Sequence, residues 1–231
     1  MNEQKTALII GASRGLGWGL AREYLRRGWR VVATVRAGST GTPLHALRDA
    51  HTGLEIEVLD ITIPDQIAAL RERCASRRFD LLFVNAGVSN DPNERIGDIG
   101  TDEFMRVMLT NTLSPMRVIE RLHDLVEDGG TIAVMSSELG SVTANVDGGW
   151  EAYRASKAAL NSLMRSWVAR HRGDSRSFFV VAPGWVRTEM GGAEAPLDID
   201  TSIPGVVDTL ERRSGSGGLA YVNYRNEVLP W

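Results

Sequence analysis

A tyrosine and a lysine stand four residues apart in the stretch Tyr153-Arg154-Ala155-Ser156-Lys157, and together they could move a proton. If the stretch is helical, side chains at this spacing share one face, so the phenol and the amine can converge. A free tyrosine titrates near pH ~10, too high for proton exchange at neutral pH. An ammonium ~4 Å away at an effective dielectric of ~20 contributes ~4 kcal/mol, or about three pK units. The pair therefore predicts a tyrosine general acid and base, although the same spacing is common on solvated helix faces.

A glycine-rich turn near the start of the chain, Gly11-Ala12-Ser13-Arg14-Gly15-Leu16-Gly17, could bind an anion. It follows the apolar run 6–10, typical of a buried strand, and apolar residues then recur at helical spacing. Free N–H groups and the helix dipole at such a junction face a pyrophosphate. The motif alone is often only a tight turn, but its position at the first strand–helix junction favours nucleotide binding.

Two further apolar runs end in polar residues. Residues 79–87 read FDLLFVNAG, and residues 131–137 read TIAVMSS. Ligands of doubly wound sheets bind at the carboxyl ends of the strands. We therefore expect the glycine turn, the Asn85-Ala86-Gly87 segment, Ser137 and the Tyr153 helix to meet along one edge of a sheet.

Strand-like and helix-like stretches alternate along nearly the whole sequence. Such alternation implies right-handed crossovers and a parallel sheet covered on both faces. We predict an α/β fold, a single-domain Rossmann-type doubly wound sheet of about seven strands spanning residues 1–231. The predicted strands are 7–10, 31–35, 55–59, 81–85, 131–136, 178–182 and 219–222, and the predicted helices are 16–27, 64–77, 102–126, 151–171 and 202–213.

The composition narrows the classes of partner. The 231 residues are 43% hydrophobic and 24% charged, and the net charge of -3 gives no reason to expect nucleic acid or an anionic membrane as a partner. The longest apolar runs are strand-sized, and we expect neither a membrane span nor a signal peptide. Cys74 is the only cysteine, which excludes an internal disulfide and fits a cytoplasmic location. The four histidines show no metal-ligand spacing, so no metal site is predicted.

The order of these motifs resembles that of the short-chain dehydrogenase/reductase family. The matching positions are the glycine turn, Asp60, Asn85-Ala86-Gly87, Asn111, Ser137, Tyr153 with Lys157, and Pro183-Gly184 followed by Thr188. A closer likeness is to the C-factor/sniffer-like carbonyl reductase branch. It rests on SSELGSVTANVDGG at 136–149, YRASKAAL at 153–160, PGWVRTEMGG at 183–192 and the Leu229-Pro230-Trp231 ending.

The resemblance implies roles for individual residues. Tyr153 would exchange a proton with the carbonyl oxygen, and Lys157 would lower the pKa of Tyr153 and hold the nicotinamide ribose. Ser137 would stabilise the developing alkoxide, with Ser136 as the alternative serine, and Asn111 would hold a water linking Lys157 to solvent. From spacing alone, Asn111 could equally be a polar residue on a helix surface. The implied cofactor contacts are Gly11, Ser13, Arg14, Gly15, Leu16, Gly17, Arg36, Asp60, Ile61, Asn85, Ala86, Gly87, Tyr153, Lys157, Pro183, Gly184, Val186 and Thr188.

The second strand favours NADP(H) over NAD(H). Folds that prefer NAD place an acid near the end of this strand for the ribose 2′-hydroxyl, but Val35 stands there and Arg36 follows it. Arg36 and Arg14 could clamp a 2′-phosphate through charge-assisted bonds. Solvated surface arginines are the alternative. Asp60 resembles the adenine contact of the family, and otherwise it would cap a helix near Ile61-Thr62.

The function predicted is an NADPH-dependent reductase for a small or hydrophobic ketone or aldehyde. The alternative is a dinucleotide-binding signalling or regulatory protein of C-factor type with little turnover. Trp150, Trp185 and Met190 are candidate pocket walls, each equally explained by packing, and residues 189–202 are a candidate lid or a passive loop. The resemblance further implies a homodimer or homotetramer formed through the helices at 102–126 and 151–171.

Overall fold

Seven parallel strands form one sheet in the computed structural model, which describes residues 4–231. The strands are β1 Thr6–Ile10, β2 Arg30–Val35, β3 Leu54–Val58, β4 Phe79–Val84, β5 Val126–Met135, β6 Ser177–Ala182 and β7 Gly218–Asn223. Their order in the sheet is β3-β2-β1-β4-β5-β6-β7. The chain therefore progresses outward in both directions from the β1–β4 pair, and ligands of open α/β sheets bind at such a switch point. The predicted doubly wound fold is confirmed.

Helices cover both faces of the sheet because the strands are apolar on both sides. On β1, Leu8 and Ile10 belong to one core cluster, whereas Ala7 and Ile9 belong to the other. The helices are α1 Gly15–Arg26, α2 Pro43–Ala50, α3 Pro64–Arg73, α4 Thr101–Met108, α5 Ser114–Leu122, α6 Glu151–Arg170 and α7 Ile199–Arg213. Side chains of α3, α5 and α6 pack into the first cluster, and those of α1, α2 and α7 into the second.

Helix α2 is absent from the sequence-based prediction. Its signal was present, because Thr42 precedes Pro43, and proline at the first helical position is a common helix start. The helix has only eight residues and buries only Leu44 of them, so its apolar periodicity is too weak to recognise.

The predicted helix at 102–126 is wrong in two respects. It is interrupted by a π-helical turn at Leu109–Leu113, and it ends with a short 3-10 turn, His123–Leu125, before β5 begins at Val126. Strand β5 thus starts five residues before the predicted boundary, with an irregular register against β4 between Phe79 and Leu81. On α6, the apolar residues Leu160, Met164 and Trp167 are buried, whereas Leu163 is exposed.

Candidate active site

The turn between β1 and α1 is a cradle built from glycine. Gly11 adopts φ 85°, in the left-handed region that favours glycine. A Cβ atom on Gly11 would lie 2.6 Å from the Cβ of Ala86, and one on Gly17 would lie 2.1 Å from the carbonyl oxygen of Gly11. Gly15, at φ 58°, faces the side chain of Thr188. Side chains are therefore excluded where the backbone must approach a ligand closely.

The Asn85-Ala86-Gly87 segment is joined to this turn. The Asn85 amide nitrogen donates to the carbonyl oxygen of Gly11 at 2.7 Å. The backbone nitrogens of Asn85 and Ala86 both donate to the carbonyl oxygen of Ile10 at 2.9 Å. These bonds fix the ends of β1 and β4 against each other at the switch point, as the expectation of a common edge required.

The π-helical turn at Leu109–Leu113 carries Asn111 into the site. Its side chain is fully buried: Oδ1 accepts from the Val88 nitrogen at 2.8 Å, and Nδ2 donates to the Val88 oxygen at 2.8 Å and to the Ser156 hydroxyl at 3.0 Å. The alternative of a polar residue on the helix surface is therefore wrong. A π turn changes the hydrogen-bond ladder locally and is frequent at functional sites.

Ser137 and Ser136, which follow β5, point to different partners. The Ser136 hydroxyl is buried and donates to Oδ1 of Asn161 at 2.7 Å. The Ser137 hydroxyl instead accepts from the Leu139 nitrogen at 3.2 Å and lies near the phenol of Tyr153, where it lowers the pKa of that tyrosine. Of the two serines, Ser137 is the one that faces Tyr153.

Lys157 lies beside Tyr153 on α6; Lys157 is buried and Tyr153 is half-buried. Its Nζ is 5.6 Å from the centroid of the Tyr153 ring and donates to the Met135 carbonyl oxygen at 2.9 Å. A Cβ on Gly87 would lie 3.2 Å from Oδ1 of Asn111 and 3.4 Å from Nζ of Lys157. Asn111, Lys157 and the end of β4 therefore meet at one point.

Burial controls the titration of both groups. It raises the pKa of Tyr153 to about 12, with the nearby Ser137 hydroxyl offsetting part of the rise, and it lowers the pKa of Lys157 to about 8. The sequence predicts that Lys157 lowers the pKa of Tyr153, whereas in the structure the pKa of Tyr153 is raised by burial. The spacing argument counted the charge of the amine but omitted the cost of removing both groups from water, which opposes each charged form.

The two arginines predicted to bind a phosphate differ in their surroundings. Nε of Arg14 forms an ion pair with Oε2 of Glu189 at 2.8 Å, and both side chains are largely exposed. Arg36 is exposed at the end of β2 and pairs with no carboxylate of residues 4–231. Asp60 Oδ1 accepts from the backbone nitrogen and hydroxyl of Thr62, at 2.9 and 2.6 Å. It therefore shapes the turn before α3, beside the buried Ile61. It does not cap that helix, because the N-cap residue is Ile63 and no side chain caps it, so the capping alternative is wrong.

The segment after β6 returns to the glycine turn and is well tied. Pro183 and Val186 are buried, and a Cβ on Gly184, at φ 80°, would lie 2.5 Å from Leu197. The Arg187 nitrogen donates to the Leu197 oxygen at 2.8 Å, and the Thr188 oxygen accepts from the Gly192 nitrogen at 2.9 Å. The candidate lid therefore has internal hydrogen bonds at its start and at its end.

Of the candidate pocket walls, Trp150 lies beside Tyr153, whereas Trp185 and Met190 belong to the segment after β6. Trp150, which precedes α6, has its ring 5.9 Å from that of Tyr153 at an angle of 65°. Its backbone is left-handed at φ 54°, which is strained for a bulky residue. Trp185 donates from Nε1 to the Gly191 oxygen at 2.7 Å, so it holds the segment at 189–202, whose Met190 is exposed.

Two residues that support the site were missed. Ser156 is fully buried and accepts from Asn111, and the Thr34 hydroxyl accepts from the Gly11 nitrogen at 2.9 Å. A polar residue within the apolar strand β2 was a usable signal for Thr34. Ser156 lies three residues after Tyr153, a spacing that places it on the same side of α6.

The cradle, the Tyr153/Lys157 pair and Ser137 lie at one sheet edge, the arrangement expected of a dinucleotide-dependent oxidoreductase of the short-chain type. The chain matches the family model "short chain dehydrogenase" over residues 5–196, and it belongs to that family.

Relatives confirm the predicted branch. The chain is 34% identical over 154 residues to C-signal of Myxococcus xanthus, covering 66% of this chain and 92% of that protein. It is 53% identical to a short-chain dehydrogenase/reductase from Burkholderia multivorans with bound NADP, covering 99% and 100% of the two chains at a TM-score of 0.97. It is 38% identical to a carbonyl reductase from Pseudomonas aeruginosa in complex with NADP, covering 99% of this chain and 100% of that chain at a TM-score of 0.91. It is 29% identical to the carbonyl reductase Sniffer of D. melanogaster, covering 99% of this chain and 100% of that chain at a TM-score of 0.87.

Two further observations concern membrane spans and metal sites. Within residues 4–231, the helices are all too short or too polar to cross a membrane. The same part of the chain has no group of three or more His, Cys, Asp or Glu side chains placed to hold a metal ion.

Proposed function

We propose that this protein is an NADPH-dependent carbonyl reductase for a small or hydrophobic ketone or aldehyde. The observation that carries the proposal is the half-buried Tyr153, with Ser137 near its phenol and Lys157 on the same helix. These groups lie at the sheet edge that also holds the glycine cradle. A protein that only bound a dinucleotide would need the cradle and Lys157 for the ribose, but it would not need a proton donor with a serine beside it.

The residues present fit a dinucleotide. A Cβ on Gly11 or Gly17 would clash with backbone atoms, so the glycines leave the bare backbone surface that a pyrophosphate needs. Gly11, Ser13, Gly15, Leu16 and Gly17 would hold the pyrophosphate. Asp60, Ile61, Asn85, Ala86 and Gly87 would surround the adenosine half, and Pro183, Gly184, Val186 and Thr188 the nicotinamide half. When bound, the reduced nicotinamide supplies the hydride.

Tyr153 supplies the proton. With its pKa raised to about 12, the phenol is protonated at neutral pH and can donate to the carbonyl oxygen of the substrate. The Ser137 hydroxyl donates a second hydrogen bond to the same oxygen as negative charge develops. Lys157 holds the ribose end of the cofactor, and Asn111 supports a water that returns protons from solvent to Lys157.

NADPH is favoured over NADH by the charge at the end of β2. Val35 occupies the position of the acid that binds a ribose 2′-hydroxyl, and Arg36 is exposed beside it. Bound NADP in the Burkholderia multivorans and Pseudomonas aeruginosa proteins supports the same choice. The likeness to C-signal supports a second candidate, a regulatory dinucleotide-binding protein with little turnover.

We also propose that residues 1–231 form a single domain and that the protein is cytoplasmic. It would assemble into a homodimer or homotetramer through α4, α5 and α6. These proposals rest on the single sheet and on the family resemblance. Size-exclusion chromatography with light scattering measures the assembly state directly.

A panel of ketones and aldehydes, with NADPH consumption followed by absorbance, tests the function. Tyr153→Phe should lower kcat by ~10²–10⁴-fold because it removes only the proton donor, while the Kd for NADPH stays near the wild-type value. Tyr24→Phe is the control, because Tyr24 is a buried tyrosine of α1 that packs in the core cluster on the other face of the sheet from α6. Near-native turnover by Tyr153→Phe would remove Tyr153 from the proposed mechanism, and wild-type protein that binds NADPH but turns over no carbonyl compound would favour the regulatory candidate.

A further inference from the structure

The backbone after β5 is held by three side chains. The carbonyl oxygen of Met135 accepts from Lys157 at 2.9 Å, that of Gly140 accepts from Nδ2 of Asn161 at 3.1 Å, and that of Ser137 accepts from the Tyr221 phenol. Lys157 and Asn161 are four residues apart on α6 and so share a face. Tyr221 reaches the same backbone from β7.

The Ser137 carbonyl is the centre of this arrangement. It also accepts from the Gly140 nitrogen at 2.9 Å, so one oxygen fixes both the start and the end of the turn. A Cβ on Gly140 would lie 3.0 Å from Nδ2 of Asn161 and 3.0 Å from Cβ of Lys157, so the turn packs directly on α6. The Ser136 hydroxyl donates to Asn161 as well.

Tyr221 is fully buried, and its environment leaves its hydroxyl little freedom. Burial raises the pKa of its phenol above the usual range, and the nearby Asn161 amide offsets part of that rise. The Trp231 ring packs against Tyr221 with 5.4 Å between centroids, and the Trp231 carbonyl accepts from the Thr143 nitrogen at 3.0 Å. The phenol is therefore a neutral donor with a fixed position.

We propose that Tyr221 and Asn161 are positioning residues that hold the Ser137 hydroxyl against Tyr153. This inference deepens the proposed function, since Ser137 acts on the substrate oxygen only from that position. Neither side chain touches the reacting groups. Each acts through the backbone of residues 136–140, which carries Ser137.

The four tyrosines of the chain permit a test that does not require turnover. Protein labelled with carbon-13 at tyrosine Cζ gives one resonance for each, and the Tyr153 signal is the one that Tyr153→Phe removes. Ser137→Ala should shift this signal because the phenol loses the neighbouring hydroxyl that lowers its pKa. Tyr221→Phe, which removes one hydroxyl, should shift it in the same direction, and Asn161→Ala should do so independently of Tyr221.

The double variant decides between positioning and a general disturbance. If Tyr221 acts through Ser137, Tyr221→Phe should add no further shift in the Ser137→Ala background, and the Tyr24→Phe control should leave the signal in place. An unmoved Tyr153 signal in Tyr221→Phe, an equal shift in both backgrounds, or a Ser137→Ala protein with an unchanged signal would each overturn the proposal.

Kinetics give a second readout. Tyr221→Phe should lower kcat roughly two- to tenfold, as expected for one neutral hydrogen bond, with KM and the Kd for NADPH unchanged. A rise in KM at constant kcat would contradict the positioning role. If no carbonyl compound is reduced by the wild type, the proposed function fails, but the Tyr153 resonance still decides the role of Tyr221.

Discussion

Tyr153 and Lys157 are displaced from their ordinary pKa values in opposite directions by one cause. Burial disfavours a charged group, so the phenol keeps its proton at pH 7 and the amine releases its proton more easily than a lysine in water. Each shift favours the neutral form. The residue types and their spacing could be read from the sequence, but the extent of burial could not, because it depends on α6 packing against the turn after β5.

The low pKa of Lys157 predicts a pH-dependent stability. The amine has a pKa of about 8 when folded and ~10.4 when unfolded, so between these values the unfolded chain binds more protons and the free energy of unfolding rises with pH. Relative to Lys157→Met, the wild type should gain about 2 kcal/mol between about pH 7 and about pH 9.5. Urea unfolding at both pH values measures this difference. Lys5→Met changes the only other lysine, which is exposed, and should follow the wild type. A Lys157→Met protein with the wild-type pH dependence would show that the amine is not desolvated.

Arg36 predicts the cofactor preference. Arg36→Ala should weaken NADPH binding by about ten- to a hundredfold, since a hydrogen bond to a charged group contributes ~1.5–3 kcal/mol, and should leave NADH binding nearly unchanged. Adding Arg14→Ala should give a non-additive further loss if both contact one phosphate. Arg172→Ala, at an exposed position after α6, is the control. Dissociation constants that rise equally for both cofactors would contradict the NADPH preference.

The element with the largest departure from prediction is the helix through Asn111. Its apolar spacing was continuous enough to predict one helix, yet a π turn inserts there and rotates Asn111 into the core. That rotation is stabilised by partners distant in sequence, Val88 and Ser156. Local periodicity carries no information about such partners, so the position of Asn111 on the chain could be predicted but its burial could not.

The segment at 189–202 predicts a change in hydrogen exchange. Its Gly192 and Leu197 amides already have hydrogen bonds, whereas Glu189 and Met190 are exposed beside the glycine turn. Saturation with NADPH should therefore slow exchange mainly over 189–195, because the cofactor contacts at Thr188 order the near end of the segment and closure of this kind is a common gating step. Exchange mass spectrometry with and without NADPH measures it.

The loop at 214–218 provides an internal control, because it leads into the amino end of β7, at the edge of the sheet opposite the cradle. Its exchange should not change. If exchange over 189–195 also stayed the same on saturation, that segment would be a passive surface loop.

At the scale of the whole molecule, Arg27 joins the first helix to the last. It follows α1 and bonds Glu23 at 2.8 Å on its own helix, and Asp208 at 2.7 Å and Glu211 at 2.6 Å on α7. The Arg27 and Glu23 side chains are only 17% and 7% exposed, so solvent screens this pair weakly. Contacts of this kind connect residues nearly two hundred positions apart and are invisible to sequence periodicity.

Arg27→Met should therefore destabilise the whole fold. Removing one partner of a buried ion pair costs about 3–5 kcal/mol when the remaining charge has no other partner, but Glu23 keeps its bonds to Arg26 at 2.8 and 2.7 Å, so the loss should lie between about 1 and about 3 kcal/mol. The midpoint of urea unfolding measures the loss. Arg48→Met removes an exposed pair with Asp49 and should change stability by less than about 1 kcal/mol. Equal effects of the two substitutions would mean that the Arg27 contacts are screened like any surface pair.

The architecture itself was largely predictable. All seven strands were predicted from the sequence, and their alternation with helices indicated the parallel sheet and the edge at which the polar strand ends meet. The exceptions, α2 and the early start of β5, are elements with few buried residues: α2 buries Leu44, and residues 127–129 of β5 are exposed. Where burial is slight, the sequence carries little hydrophobic pattern to read.

The position of Trp150 predicts a change in tryptophan fluorescence when the cofactor binds. Its indole lies beside Tyr153, where the proposed nicotinamide binds, and tryptophan emission overlaps the absorption band of reduced but not of oxidised nicotinamide. Energy transfer from Trp150 would therefore follow arrival of the reduced cofactor and its oxidation in real time, without any added dye. The fluorescence of Trp150, the strained residue before α6, would therefore report whether a nicotinamide bound there is reduced or oxidised.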